Sequence, residues 1–167
     1  WSLLPHVLAG EQPERTLLDV VPGLTIAFKV EPLGMLFGLV ASSLWIVNSI
    51  YSIGYMRANG EPRQTSFYVC FAVAIGATIG LAFAKNLFTL FLFYELITLS
   101  TYPLVTHKAN EEAVRGGRVY LMLLIGASMV LLLPAIVGTG LLAGTLDFKL
   151  GGILPAELDR SLMAGLL

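Results

Sequence analysis

The sequence predicts an all-α fold, a polytopic bundle of transmembrane helices with about four full spans and truncated ends. Hydrophobic residues make up 56% of the 167-residue chain and charged residues only 13%, about half the charged share of an ordinary globular protein. The charges are also widely spaced, because three runs without any charge reach the ~20 residues that a membrane-spanning helix needs. These runs are Pro32–Met56, Gln64–Ala84 and Val119–Leu146.

A fourth apolar run, Asn86–Thr106, carries a single charge, Glu95, near its middle. In a helix that rises about 1.5 Å per residue, Glu95 would lie near the midplane of a hydrocarbon core about 30 Å thick. A carboxylate at that depth is costly unless it is protonated, paired or hydrated, and chains that keep one commonly use it to move protons or ions. Glu95 is therefore the first functional candidate. The alternative is a protonated carboxyl that only joins neighbouring helices.

The chain divides into three predicted segments. Residues 1–30 form an extra-membrane segment or loop, with the possible end of a preceding helix, because a short apolar start gives way to polar residues and a Pro-Gly pair. Residues 31–146 form the transmembrane portion, and residues 147–167 form a loop and the start of a further span. We expect an internal portion of a longer polytopic chain, since the sequence does not begin with methionine and ends in an apolar run.

Local signals mark the spans. Pro32 suits the first turn of a helix, where its missing N–H is not needed, and the pair Asn59-Gly60 indicates a turn. Pro134, inside the fourth span, predicts a bend or a free carbonyl. The predicted spans are 33–55, 65–84, 87–106 and 119–142.

Four further residues are candidates for a proton or ion path around Glu95. Thr98 and Tyr102 follow it by three and seven residues, so both share its helix face and can hold a file of water molecules. Lys85, between the second and third spans, is either a snorkelling interface residue or a cation that tunes the path from one end. His107, at the mouth of the third span, either passes protons or is merely interfacial.

The sequence contains no pattern that is typical of other classes of site. It contains no metal-ligand cluster, no phosphate-binding loop and no nucleophile–base pair, so neither a catalytic site nor a metal is predicted. A basic cluster interleaved with aromatic residues, which would indicate nucleic acid, is also absent from the sequence.

Three stretches resemble one known family. Phe91–Lys108, FLFYELITLSTYPLVTHK, is similar to the fifth transmembrane helix of the antiporter-like subunits of Mrp-type multisubunit cation/proton antiporters and respiratory complex I. Glu111–Ser128, EEAVRGGRVYLMLLIGAS, is similar to their next loop and helix, and Phe28–Arg57 resembles the helix that opens their core. The chain resembles an N-terminal-to-middle portion of such a subunit, closest to the D-type subunit of Mrp antiporters.

The resemblance implies that Glu95 is the family's channel glutamate, whose lysine partner on a later helix would lie past Leu167. It implies a subunit of a monovalent cation/proton antiporter that holds no redox cofactor. The expected partners are other membrane subunits, the lipid bilayer, protons and Na⁺ or another monovalent cation.

Two alternatives stay open. One is a proton-pumping subunit of a complex I-like NADH:quinone oxidoreductase or membrane hydrogenase, so the sequence does not decide whether the chain belongs to an enzyme. The other is a structural membrane scaffold.

The distribution of charge predicts orientation. Alternating spans put loops 57–63 and 107–118 on one side, and the five Lys and Arg residues of that side all fall in these two short loops, where the positive-inside bias counts most. We expect both loops in the cytoplasm and the protein in a bacterial cytoplasmic (inner) membrane.

Overall fold

The computed structural model of the chain describes residues 2–21 and 23–154. The predicted start of a further span falls on residues 155–167, outside this part. The described chain is mostly helical, which confirms the predicted class of a polytopic helical membrane protein. Its elements are α1 (Leu4–Leu8), β1 (Glu14–Val21), β2 (Leu24–Lys29), α2 (Pro32–Ala58), α3 (Gln64–Ala82), α4 (Leu87–Val105), α5 (Glu111–Ala127), a π-helical turn (Ser128–Leu132) and α6 (Leu133–Ala143).

Four helical stretches are long and apolar enough to cross a membrane. Three of them are α2, α3 and α4, with 27, 19 and 19 residues, and the fourth, Glu111–Ala143, joins α5, the π-helical turn and α6 in 33 residues. Even a helix of 19 residues is about 28 Å long, close to the thickness of the hydrocarbon core. Many large apolar side chains of these helices are exposed on the isolated chain, as expected for faces that contact lipid or other membrane helices.

The helix of the fourth span begins at Glu111, inside the segment that the sequence predicted as a loop. The Asn110 side chain caps α5 by accepting a hydrogen bond of 2.8 Å from the Ala113 N–H. Glu111 and Glu112 then place negative charge in the first turn, where the helix dipole stabilises it. These local signals extend the helix beyond the apolar run.

Pro134 lies inside the fourth span, where the bend or free carbonyl that the sequence predicts stays a prediction. It has no N–H to donate, and the helix widens into the π-helical turn Ser128–Leu132 immediately before α6. The Ser128 side chain lies in this turn, is 3% exposed, and donates its hydroxyl to the carbonyl oxygen of Ile125 at 3.0 Å.

Glycines on α2 allow the end of α3 to approach closely. A methyl group built on Gly34 would lie 2.5 Å from the carbonyl oxygen of Ala82, and one built on Gly38 would lie 3.2 Å from the ring of Phe83. The four-residue spacing of these two glycines therefore marks a real helix contact.

The connection between α3 and α4 pairs with strand β2. The Lys29 N–H donates to the carbonyl oxygen of Phe83 at 2.8 Å, and the Lys85 N–H donates to that of Ala27 at 3.0 Å. Since β2 also pairs with β1 in an antiparallel hairpin, this hairpin folds onto the same end of the bundle.

The segment after α6 pairs with the opposite edge of the same connection. The Leu87 N–H donates to the carbonyl oxygen of Leu146 at 3.0 Å, and the Phe148 N–H donates to that of Lys85 at 3.1 Å. The start of α4 is thus held between two extended segments that are distant in sequence.

Polar side chains complete this junction. Thr89 and Asn86 are 0% and 2% exposed. The Asn86 side chain accepts from the Thr89 N–H at 2.7 Å and donates to the carbonyl oxygen of Thr25 at 2.9 Å. The Thr89 hydroxyl accepts from the Ala27 N–H at 3.0 Å. Because buried polar groups need partners, these bonds fix the first turn of α4 against β2.

Candidate functional site

Glu95 lies near the middle of α4, a helix that packs against α3, α5, α6 and β2. Eight residues separate it from Leu87 and ten from Val105, about 12 and 15 Å along the axis. The residue is half-buried, and its Oε1 atom is buried without a hydrogen-bond partner among the described residues. A buried oxygen without a hydrogen-bond partner is costly in an apolar interior. The Oε1 atom can therefore take up a proton, or accept a hydrogen bond from a donor group that reaches it.

Thr98 and Tyr102 lie on the same stripe of α4 but already have other contacts. The Thr98 side chain is 2% exposed, and its hydroxyl donates to the carbonyl oxygen of Tyr94 at 3.1 Å. The Tyr102 ring packs against Gly117 of α5, where an added methyl group would lie 3.3 Å from it. Within the described chain no hydrogen bond joins either hydroxyl to Glu95, so the predicted water file stays a prediction.

A hydroxyl pair that the sequence did not predict lies beside this stripe. Thr101 on α4 and Tyr120 on α5 have their oxygens 3.1 Å apart, and the Thr101 hydroxyl also lies 2.9 Å from the carbonyl oxygen of Thr98. Thr101 is six residues from Glu95 and so escapes a search for residues spaced three, four or seven apart. Tyr120 lies on a different helix, and only the packing of α4 on α5 shows the contact.

Lys85 stands at one end of α4, in the connection that β2 holds. Its Nζ atom lies 2.7 Å from Oε2 of Glu14 and 4.0 Å from Oδ2 of Asp147. The hydrogen bond with Glu14 raises the pKa of Lys85 above its ordinary value, against the opposing effect of burial, and the charges of Glu14 and Asp147 add to the rise. Lys85 is ten residues from Glu95 and lies outside α4, whose first eight residues alone span about 12 Å along the axis, so it does not pair with it directly.

His107 stands at the other end of α4. The Arg63 guanidinium donates to the carbonyl oxygen of His107 at 2.6 Å, so the two predicted loops on this side of the bundle meet. The imidazole packs edge-on against Phe67, with 5.3 Å between ring centroids. Its Nε2 atom is buried without a hydrogen-bond partner in the described part, 4.0 Å from a carboxylate oxygen of Glu61.

The structure therefore spreads the five candidates along one helix rather than gathering them in a pocket. Lys85 and His107 mark the two ends, with Glu95 between them and Thr98 and Tyr102 on the way to His107. Among residues 2–21 and 23–154, no group of three or more His, Cys, Asp or Glu side chains is placed to hold a metal ion. This geometry suits a path along the helix axis.

Four helices of membrane length, one of them with a single carboxylate in its middle, define an integral membrane protein of the polytopic helical class. Residues 84–163 match the family described as "NADH:quinone oxidoreductase/Mrp antiporter, TM". The match confirms the resemblance to the antiporter-like subunits that Mrp-type antiporters and respiratory complex I share. The matched range contains all five candidate residues.

Curated relatives agree with this family. They include Na⁺/H⁺ antiporter subunit A1 of Staphylococcus aureus from strain bovine RF122 / ET3-1 and from strains JH9 and Newman. The chain is 27% identical to each over 134 residues, which cover 78% of the chain, and it spans 16% of the length of these relatives. These relatives are A-type subunits by name, and the finer likeness to the D-type subunit stays a prediction.

Proposed function

We propose that the chain contributes a proton or ion path through Glu95 to a membrane subunit of a multisubunit monovalent cation/proton antiporter. The observation that carries this proposal is the Oε1 atom of Glu95, buried and without a partner in the described chain, midway along the central α4 helix. Either a proton or a monovalent cation can balance the charge of a carboxylate at this depth. The arrival of the cation and the release of the proton are therefore coupled.

The other four candidates take places along this path. Thr98 and Tyr102 lie on the way from Glu95 to His107 and would order the water molecules between them. His107 would exchange protons with water at its end of the bundle. Lys85, held by Glu14, would tune the path from the opposite end through the position of α4.

The setting of the path is part of the proposal. The exposed apolar faces of the four spans would be covered by lipid and by other membrane subunits, in a bacterial cytoplasmic membrane with loops 57–63 and 107–118 in the cytoplasm. The cation would be Na⁺ or another monovalent ion, which the names of the Staphylococcus aureus relatives support.

A second candidate function is supported by the family description, which names NADH:quinone oxidoreductase beside the Mrp antiporter. In that case the same helices would belong to a proton-pumping subunit of a redox-driven complex. Purification of the intact assembly separates the two: iron–sulfur or flavin-bearing partners would indicate the oxidoreductase, and membrane subunits without redox centres would indicate the antiporter.

The test of the path is cation/proton exchange in membrane vesicles that contain the intact complex with Glu95→Gln. The variant keeps the size of the side chain but cannot release a proton, so we expect exchange to fall at least tenfold. The matched control is Glu112→Gln, an exposed glutamate at the start of α5, which should retain exchange. Undiminished exchange with Glu95→Gln would rule out the proposed role and favour the structural scaffold.

A further inference from the structure

A second acidic residue, Glu61, is held in place beside His107. It follows α2 in the turn that leads to α3, and its backbone N–H donates to the carbonyl oxygen of Met56 at 3.1 Å. The Gln64 side chain donates to the carbonyl oxygen of Glu61 at 3.0 Å. These bonds fix the backbone of the turn, and the Glu61 side chain is only 25% exposed, although it lies outside the membrane-spanning helices.

His107 faces this carboxylate with a nitrogen that has no hydrogen-bond partner among residues 2–21 and 23–154. Its side chain is 14% exposed, and its Nε2 atom lies 4.0 Å from Oε2 of Glu61, too far for a hydrogen bond. The Phe67 ring packs edge-on against the imidazole, and Arg63 holds the His107 backbone through its carbonyl oxygen. A buried ring nitrogen without a partner is uncommon in proteins. A small rotation of the Glu61 side chain, or one water molecule, would satisfy it.

Both side chains line one open cleft. Its volume is about 480 Å³, and the titratable or charged groups on its walls besides this pair are Tyr51, Tyr55 and Lys108. This is room for several water molecules, which could bring protons to the pair. Among the described residues that line this cleft, Glu61 is the acidic group and Lys108 is the basic one.

We propose that Glu61 and His107 form one proton-binding site at this end of the bundle. A proton from water binds to Nε2 of the neutral imidazole, and the Glu61 carboxylate closes on the imidazolium as its counter-charge. Release to water, or to the chain of water molecules towards Glu95, restores the neutral ring. His107 is twelve residues from Glu95, and the ten that lead to the end of α4 at Val105 span about 15 Å along the axis. Only the delivery of the proton to Glu95 rests on the proposed function.

Glu61 is not among the residues that match the family. The matched range begins at residue 84, so Glu61 lies outside it, whereas His107 lies inside. The contact arises because the α2–α3 turn and the end of α4 meet through Arg63 and His107.

The test is nuclear magnetic resonance of the ¹⁵N-histidine-labelled full chain in lipid nanodiscs. The chain has two histidines, and His6→Gln assigns the signals of His107. In Glu61→Gln we expect the pH at which the His107 ring becomes charged to fall by roughly half a unit or more. Glu61→Asp should restore most of the shift, and Glu112→Gln should leave it unchanged.

An identical His107 titration in wild type, Glu61→Gln and Glu61→Asp would overturn the proposal. Its failure is distinct from failure of the Glu95 path. If Glu95→Gln leaves exchange undiminished while Glu61→Gln still shifts the His107 titration, the path through Glu95 is ruled out and the Glu61–His107 proton-binding site is supported.

Discussion

The Nζ atom of Lys85 lies 2.7 Å from Oε2 of Glu14, so one ion pair joins the connection before α4 to the first strand of the hairpin. The carboxylate of Asp147, after α6, approaches the same ammonium to 4.0 Å. Lys85 is therefore bound to groups outside the membrane spans on two sides. Any effect of this lysine on Glu95 passes through the position of α4, because the two residues are ten positions apart.

The ion pair makes the stability of this junction depend on pH. Because the hydrogen bond with Glu14 raises the pKa of Lys85 above 10.5 in the folded state, the contribution is fully present below pH 10.5 and is lost as the pH rises through the folded pKa. Lys85→Met should lower the free energy of unfolding by about 0.5 kcal/mol or less, since both groups are partly exposed. Thermal unfolding in detergent at several pH values measures this difference.

The wild type and Lys85→Met should therefore differ at pH 8 and converge at alkaline pH. Lys149→Met is the control, because Lys149 is an exposed lysine on the neighbouring segment. A difference between wild type and Lys85→Met that persists unchanged above the folded pKa would show that the ion pair is not its cause.

The polar junction at the start of α4 predicts a larger loss of stability. Thr89→Val keeps the shape of the side chain but removes the acceptor for the Ala27 N–H, which is buried. We expect a loss of about 1–3 kcal/mol, the usual effect of leaving a buried donor unsatisfied. The matched control is Thr78→Val, whose hydroxyl donates within its own helix to Ala74 and should change stability by about 0.5 kcal/mol or less. Equal melting temperatures for both variants would contradict this role of Thr89.

Close packing of α2 on α3 predicts opposite results for two glycines of one helix. Gly34→Ala would press a methyl group against the carbonyl oxygen of Ala82, a backbone atom that cannot rotate away, and should cost about 1–3 kcal/mol. Gly54→Ala meets nothing within 4 Å and should be neutral or stabilising by up to about 1 kcal/mol. Detergent unfolding curves of the two variants measure both effects, and a stabilising Gly34→Ala would refute the contact.

The sequence was sufficient to place Glu95 in the middle of a spanning helix. Long apolar runs between charges have few alternatives to membrane helices, because lipid offers no partners for the backbone. The turn at Asn59 and Gly60 was also predictable, since its cause lies in the backbone chemistry of those residues.

The hairpin and its pairing with the α3–α4 connection were not predictable to the same degree. Strand β1 is exposed along its length, and β2 is half-buried without a clean alternation, so no period of two marks them. The partners Ala27 and Lys85 are 58 positions apart, and a contact at that distance depends on the folded chain. The same holds for Glu61 and His107: the predicted topology placed their loops on one side, but side-chain contacts between loops follow from packing.

The most direct measurement of the central claim is infrared difference spectroscopy of the complex in lipid, with and without the transported cation. If Glu95 binds and releases the coupled proton, addition of the cation should remove a carboxylic C=O band from wild type, and this band should be absent from Glu95→Gln. It should persist in Glu112→Gln. Identical difference spectra for wild type and Glu95→Gln would show that the carboxyl keeps one protonation state, which would contradict the account.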